Sequence, residues 1–486
     1  MSNGLILAID QGTTNTKALA VDASGVVVAR VSVPMTVDYP RPGWAEQSAI
    51  DIAASVIAAI AFVVETTGPD MDAVAISNQR ETIVVWDAVT GQPIAPAITW
   101  QCRRSEARCS AIAAAGHAPL IGERTGLGLD PLFPAAKIAW LLDAVPGARD
   151  AAAAARLRAG TVDSWLLWAL TGGRSHATDH SNASRTQLFD TAACAWDAQL
   201  AHIFDVPLGI LPRALPSDSH FGEVAAGVAA LAAGTPIHAM LGDSHAALFG
   251  HGIRSPGAIK ATYGTGSSLM TLTGTRPVSA HGLSSTIAWS TTEQGPVFAL
   301  EGNISVSGQA AAFMTEMLGL SNVAELASLA GTVDGSNGVT FVPALVGLGA
   351  PHWSPAARGI VAGLSLGTRR AHLARAAIEA IALQIADVFD AMEAYLGAPI
   401  DRLSADGAAS RNDALMQIQA DLIGRQVWRS DQPELSALGA AEMAATGLGR
   451  PFSITRNGTS FAPRGGTEQL RDQWHAAIRQ ALIQAH

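Results

Sequence analysis

Three short segments carry the residue types that phosphoryl chemistry needs. Asp243 ends the run Met240-Leu241-Gly242 and is followed by Ser244-His245. Asp10 closes the apolar run Leu5 to Ile9 and opens Asp10-Gln11-Gly12-Thr13-Thr14-Asn15-Thr16-Lys17. A second Gly/Thr segment, Lys260 through Tyr263-Gly264-Thr265-Gly266 to Ser268, repeats the theme in the other half of the chain. Gly/Thr turns offer hydroxyls and successive backbone N–H groups with little bulk between them, which makes an anion nest. In the first turn the candidates are Gly12, Thr13, Thr14, Asn15 and Lys17, and in the second Thr265 between its glycines. Asp10 cannot attract phosphate, so its expected partner is Mg²⁺ or the water around it. Asp243 is the candidate general base, because an alcohol attacking phosphorus must lose its proton and a positioned carboxylate can take it. Such a set can hold a nucleoside triphosphate and deprotonate a hydroxyl.

Each residue also has a plainer role open to it. Asp243 alone could cap a helix, and a Gly/Thr hairpin could be an ordinary polar turn. Arg80-Glu81 pairs a fork of donors with an acceptor pair, a match for adjacent hydroxyls, but an isolated Arg-Glu is more often a surface ion pair. Trp100 can lay its ring on the carbon edge of a polyol, although core packing is the default for tryptophan. In Asp406-Gly407-Ala408-Ala409-Ser410-Arg411-Asn412 the small residues leave room for a purine with Asn412 as a polar partner. A strand-to-helix turn would need Gly407 anyway. Gly308, early in a helix, is another point of close approach.

The elements that must position these residues follow from the pattern. Apolar runs at Leu5 to Ile9, Ala18 to Asp22 and Val26 to Val33 predict a meander with the Thr/Gly turn between its first two strands. In a dinucleotide-binding fold the glycines would instead open a helix. Ser48 caps an expected helix over 47–66. Strands are expected at 74–77, 82–86 and 237–240, with Asp243 at a strand end and a helix from Ser244 to Gly250. Alanine-rich helices are expected over 104–116, 134–158 and 164–171. In the second half the order is a hairpin at 258–273, a strand at 297–301, a helix at 306–318, a Gly/Pro-rich loop at 343–359, a long helix at 371–396, and strand plus glycine at 403–409. The recurrence of strand–Gly/Thr–strand predicts two similar α/β domains around a cleft, 1–250 and 251–486.

Composition bounds the function. A chain of 486 residues exceeds one core, and 49% hydrophobic with 15% charged residues excludes disorder. A net charge of −10 disfavours nucleic acid as a partner. Cys102, Cys109 and Cys194 form a sparse, odd set without a C-x-x-C pattern, which points away from a disulfide framework and from zinc. The longest apolar run, Ile52 to Val64, is short of the ~20 residues that span a bilayer, and no secretory signal is visible. A soluble cytoplasmic protein without membrane insertion is expected.

At these same residues the chain resembles the FGGY carbohydrate kinases, and among them the glycerol kinases. The similarity covers Ala8 to Thr14, Asn78 to Thr82, Thr99 to Arg104, Gly160 to Leu166, Thr178 to Arg185, Gly242-Asp243 and Thr262 to Gly266. It continues through Phe341 to Ala344, Gly347 to Trp353, Gly359 to Glu379 and Ala437 to Ala441. The resemblance implies two actin-like, ribonuclease-H-like domains closing on MgATP and substrate, with 1–250 mainly binding polyol, 251–486 mainly binding nucleotide, and a homo-oligomer as the assembly. It places nucleotide roles on Thr13, Thr14, Asn15, Lys17, Thr265, Gly308, Ala408 and Asn412. Magnesium falls to Asp10 and Asp243, the base is Asp243, and the acceptor contacts are Arg80, Glu81 and Trp100.

Departures from the glycerol kinases cluster around the acceptor. Leu132 stands where they carry tyrosine, Ser244 where they carry glutamine, and Ser268 where they carry an aromatic residue. Ala408 replaces a glycine at the adenine site. The changes at Leu132 and Ser268 remove bulk, and the one at Leu132 also removes a hydroxyl. A roomier pocket suits a four- or five-carbon polyol, with glycerol still accepted. The segment 231–238 lacks the Gly-Thr-Arg through which fructose 1,6-bisphosphate regulates some glycerol kinases, so no such regulation is expected. Two alternatives stay open: a ketose or aldonate kinase of the same family, and a non-catalytic, actin-like nucleotide switch.

Overall fold

The structure, a computed structural model, describes residues 4–278 and 281–483. Two sheets are built on one plan. In the first, Ile6–Gln11, Asn15–Val21 and Val27–Pro34 form an antiparallel meander. Ala73–Asn78 pairs parallel with Ile6–Gln11, and Pro236–Gly242 pairs parallel with Ala73–Asn78. In the second, Ala258–Tyr263, Ser267–Thr273 and Gly295–Ile304 form the meander. Arg402–Asp406 and Gln426–Ser430 extend it in parallel. Ser284–Thr291 and Gly458–Phe461 add antiparallel edges, giving seven strands. This two-domain α/β architecture is the expected one.

Register places the chemistry. Asp10 lies beside Ser77, Gly242 beside Asn78, and Thr262 beside Asp406. The parallel strands therefore deliver their polar residues together at their carboxyl ends, where open α/β sheets bind ligands. The strands behind those ends, Leu7 to Ile9 and Val74 to Ile76, are fully buried. Burial on both faces explains why they read as continuous apolar runs rather than alternating ones.

The helix Ala49–Thr67 starts as expected, with Ser48 Oγ accepting from Asp51 N at 3.1 Å. By length and composition this helix could cross a membrane. Its stripe of Ile52, Val56, Ile60 and Val63 is instead buried on the strands Asn15–Val21 and Val27–Pro34, as a core helix packs. The single helix expected over 134–158 is two, Pro134–Ala144 and Ala148–Ala153, followed by the strand Leu157–Thr161. Pro146 and Gly147, the latter at φ 76°, break it, and pairing of the strand with Ile83–Asp87 outweighs the helical preference of neighbouring alanines.

Helix Leu435–Gly447 ties the halves together. It crosses back to pack on Asp243–Gly250 and on the first sheet. A Cβ at Gly439 would lie 1.9 Å from Ala246 O, and one at Gly250 would lie 2.3 Å from Leu435 O. Only glycine permits that backbone approach. The helix that begins at Asp243 is thus held from both halves of the chain.

Candidate active site

Asp243 opens the helix Asp243–Gly250 directly after the strand Pro236–Gly242. Its Oδ1 accepts from Ser244 N at 2.6 Å and meets Arg80 Nε at 3.3 Å. Both contacts fall on one oxygen, and 38% of the side chain faces solvent in the cleft. Withdrawal from bulk water pushes its carboxyl up, and Arg80 pulls it back.

Arg80 leads into a run of ion pairs. Its Nη2 lies 2.6 Å from Glu301 Oε1, and Glu301 Oε2 lies 2.8 Å from Arg185 Nη1. Arg185 Nε donates to Glu81 Oε1 at 2.7 Å, and its guanidinium lies over the ring of Phe133. Glu301 and Arg185 are fully buried, while Arg80 and Glu81 nearly are. Burial alone would raise Glu301, but the two arginines hold it well below the usual carboxylate range. Burial likewise opposes the charge on Arg80, yet Glu301, Glu81 and Asp243 keep it firmly protonated. Glu81 adopts a left-handed φ of 60°, unusual for a residue with a side chain. The Arg80-Glu81 dipeptide is therefore not a surface ion pair.

Each hairpin turn is closed by a glycine N–H. Gly12 N donates to Asn15 O at 2.9 Å, and Gly264 N to Gly266 O at 3.0 Å. Thr14 and Thr265 are exposed at their tips. Lys17 lies across the ladder from Asp10, whose Oδ1 accepts from Ser77 Oγ at 2.9 Å. Burial, and secondarily the charge of Asp243, raise Asp10 to about 6. A buried carboxyl raised further by a neighbouring carboxylate suits a divalent cation, and Mg²⁺ commonly uses only one or two carboxylates beside phosphates. Trp100 is 37% exposed, and its Nε1 donates to Thr13 Oγ1 at 3.0 Å, joining the acceptor and phosphate candidates.

Gly308 begins the helix Gly308–Met317, and a Cβ there would lie 2.6 Å from Gly264 O. Ser307 N, Gly308 N and Gln309 N donate to Thr265 O, Gly264 O and Thr265 O respectively. The close approach at Gly308 is thus to the hairpin's own backbone, which it braces. Gly407, at φ 90°, abuts Tyr263 O, which brings Ala408 and Asn412 beside the second hairpin. Asn412 Oδ1 caps Asp413–Ile423 by accepting from Leu415 N, a cap that uses only the oxygen of the amide.

Of the three residues that depart from the family pattern, Ser268 Oγ donates to Glu301 Oε1 at 3.1 Å, the oxygen that also takes Arg80. Ser244 presents its backbone N–H to Asp243, and the carbonyl of Leu132 accepts from Lys137 Nζ at 2.6 Å. Sequence reasoning missed Glu301, Arg185, Lys137 and the buried His245. Burial holds His245 well below its ordinary value, and its Nε2 contacts Thr286 Oγ1. For Glu301 the available signal was a charged residue inside a strand of small and apolar neighbours, and for Lys137 a charge amid the apolar residues of a helix.

Residues 5–250 match the N-terminal domain, and residues 259–448 the C-terminal domain, of the FGGY family of carbohydrate kinases. The chain is 45% identical to a glycerol kinase of Symbiobacterium thermophilum and 47% identical to an apulose kinase of Pectobacterium atrosepticum, with 99% of each chain covered in both cases. Its structure superposes on that of Plasmodium falciparum glycerol kinase with ADP at a TM-score of 0.91 and 29% identity, over 99% of this chain and 98% of that one. With both of its domains matched in order and relatives aligned end to end, the chain belongs to the FGGY family of carbohydrate kinases.

Proposed function

We propose that this ATP-dependent kinase phosphorylates a terminal hydroxyl of a small polyol, with four- or five-carbon acceptors preferred to glycerol. The carrying observation is Arg80, held between Asp243 Oδ1 and Glu301 Oε1 at the carboxyl ends of the parallel strands. An actin-like nucleotide switch has no use for such an acceptor-side group. Relatives named for different acceptors stand at nearly equal identity, so overall similarity does not choose the substrate. The residues around the acceptor do, and Leu132, Ser244 and Ser268 are where this chain departs.

Arg80 and Ser244 N occupy Asp243 Oδ1, which leaves Oδ2 to take the proton of the attacking hydroxyl. Arg80 and Glu81 orient the neighbouring hydroxyls, and the ring of Trp100 covers the carbon edge. The hairpins at Gly12 to Lys17 and Gly264 to Gly266 present backbone N–H groups to the phosphates, and Asn412, whose cap uses only its Oδ1, offers its amide N–H to the adenine. Asp10 and Asp243 would hold Mg²⁺, which when bound offsets charge on the phosphates. With reactants fixed in line, positioning and charge stabilisation supply most of the rate.

The test is coupled ATP turnover by purified protein over glycerol, the tetritols, the pentitols and common ketoses. A four- or five-carbon polyol with the highest kcat/KM is expected. Glycerol as the best acceptor would overturn the size preference. The similarity to an apulose kinase favours a second reading, a ketose acceptor, and preference for ketoses over every polyol would establish it.

A further inference from the structure

Lys137 lies in the first turns of Pro134–Ala144 and is fully buried. Its Nζ donates to Glu81 O at 3.0 Å and to Leu132 O at 2.6 Å. These two carbonyls belong to Glu81 and Leu132, two of the acceptor candidates, which are far apart in sequence. The same ammonium therefore ties one candidate to the other through main-chain atoms.

We propose that Lys137 is a positioning residue that sets the width of the acceptor pocket and so takes part in choosing the acceptor. The proposal rests on the reading of Glu81 and Leu132 as acceptor contacts. Three observations carry it. Glu81 holds a left-handed backbone, which relaxes unless something restrains it, and Lys137 grips its carbonyl while Arg185 grips its carboxylate. Leu132 stands in a turn whose own bonds are local, from Leu132 N to Asp130 Oδ1 and from Phe133 N to Asp130 O. Lys137 Nζ joins this turn to Glu81 through main-chain carbonyls, beside Arg185, which bonds the Glu81 carboxylate and lies over Phe133. Finally, Ala135 N donates to Thr186 O, so the helix bearing Lys137 is docked beside Arg185, and both clamps on Glu81 share one support.

The grip on backbone rather than side chain has a consequence for specificity. The identity of residue 132 can change from one acceptor type to another without moving the wall, because its carbonyl stays on Lys137. Width is then set by the lysine, and lining by the side chain.

Burial is the main influence on the ammonium and lowers it to about 7, against Glu81, Cys102 and Asp130, which favour the charge, and Arg104, which opposes it. A neutral amine still has two N–H groups, enough for both carbonyls. Width is therefore expected to survive deprotonation and to depend on the presence of the amine.

The experiment compares wild type, Lys137→Met and Lys137→Gln in steady-state kinetics with ATP and with glycerol, erythritol and xylitol. Lys137→Met is expected to raise acceptor KM about tenfold or more and to narrow the preference among the three acceptors, with ATP KM within about twofold. Lys137→Gln, which keeps one amide donor group of shorter reach, is expected to fall between. A merely structural lysine would move kcat and both KM values together, and that result overturns the proposal. So does an unchanged acceptor KM in either variant. If Lys137→Met does not fold, Lys137→Gln is decisive by the same split between acceptor and ATP. Should wild type turn over ketoses alone, the polyol reading fails, and the same comparison made with ketoses of different length still decides the role of Lys137.

Discussion

Arg80, in the loop that follows the first-sheet strand Ala73–Asn78, and Glu301, in the second-sheet strand Gly295–Ile304, meet at 2.6 Å, with Glu301 fully buried. A carboxylate on the second sheet thus fixes the arginine that touches the candidate base on the first. Removing one partner of a buried pair leaves the other charge uncompensated, at about 3 kcal/mol or more. Glu301→Gln should therefore lower the unfolding free energy by that order and weaken acceptor binding, measured by denaturant unfolding and acceptor KM. The wild-type pair depresses Glu301, so its contribution is complete above the ordinary carboxylate range and is lost only as pH falls well below it.

Asp243→Asn keeps the size and the contacts of Oδ1 but cannot accept the proton. Turnover with the best acceptor should fall by about 10²–10⁴-fold while nucleotide binding persists. Single-turnover rates and titration with ADP separate the two. A near wild-type rate would remove Asp243 from the role of base.

Asp10 is raised to about 6, so it is largely protonated below that pH. The Mg²⁺ concentration needed for half-maximal turnover should climb as pH falls through about 6, and Asp10→Asn should lose this trend. In the metal-free protein the raised value has the opposite face. Between 3.8 and about 6 the folded state binds the proton more readily than the unfolded one, so stability falls as pH rises through that window. Thermal unfolding with and without Mg²⁺ and nucleotide reads both effects.

On the proposed reading, Leu132→Tyr with Ser268→Phe restores bulk around the acceptor. Glycerol KM should drop and four- or five-carbon polyols should lose kcat/KM, each by about tenfold, as expected for a hydrogen bond gained and a pocket narrowed. An acceptor profile that stays the same would show that these positions do not set preference.

Gly308→Ala places a methyl where only 2.6 Å separates it from Gly264 O. The second hairpin must shift, because the contact is backbone and cannot rotate away. ATP KM should rise several-fold while acceptor KM stays near wild type, a split opposite to that expected at Lys137.

The local parts of this protein are written locally. Asp10, Asp243 and the two Gly/Thr hairpins lie at strand ends within a few residues of the signals that define them. Gly12 and Gly264 announce close backbone turns in their own neighbourhoods. Strand and helix assignments held where apolar period and capping agreed, as at Ser48, and failed where alanine alone argued for helix, as across Pro146 and Gly147. The candidacy of Arg80, Glu81 and Trp100 as acceptor contacts was legible from resemblance. The partners of those residues were not.

By itself, then, the sequence determined the two-fold α/β plan, the hairpins and the candidates for holding phosphate and taking a proton. Tertiary structure alone decided that Glu301 and Arg185 complete the charge on Arg80 and Glu81, that Gly308 braces a hairpin, and that Lys137 bridges Glu81 to Leu132. The reason is physical. Period, propensity and turn chemistry act over a few residues, whereas a buried charge is tolerated only where the fold brings it a partner, and that partner can lie anywhere along the chain.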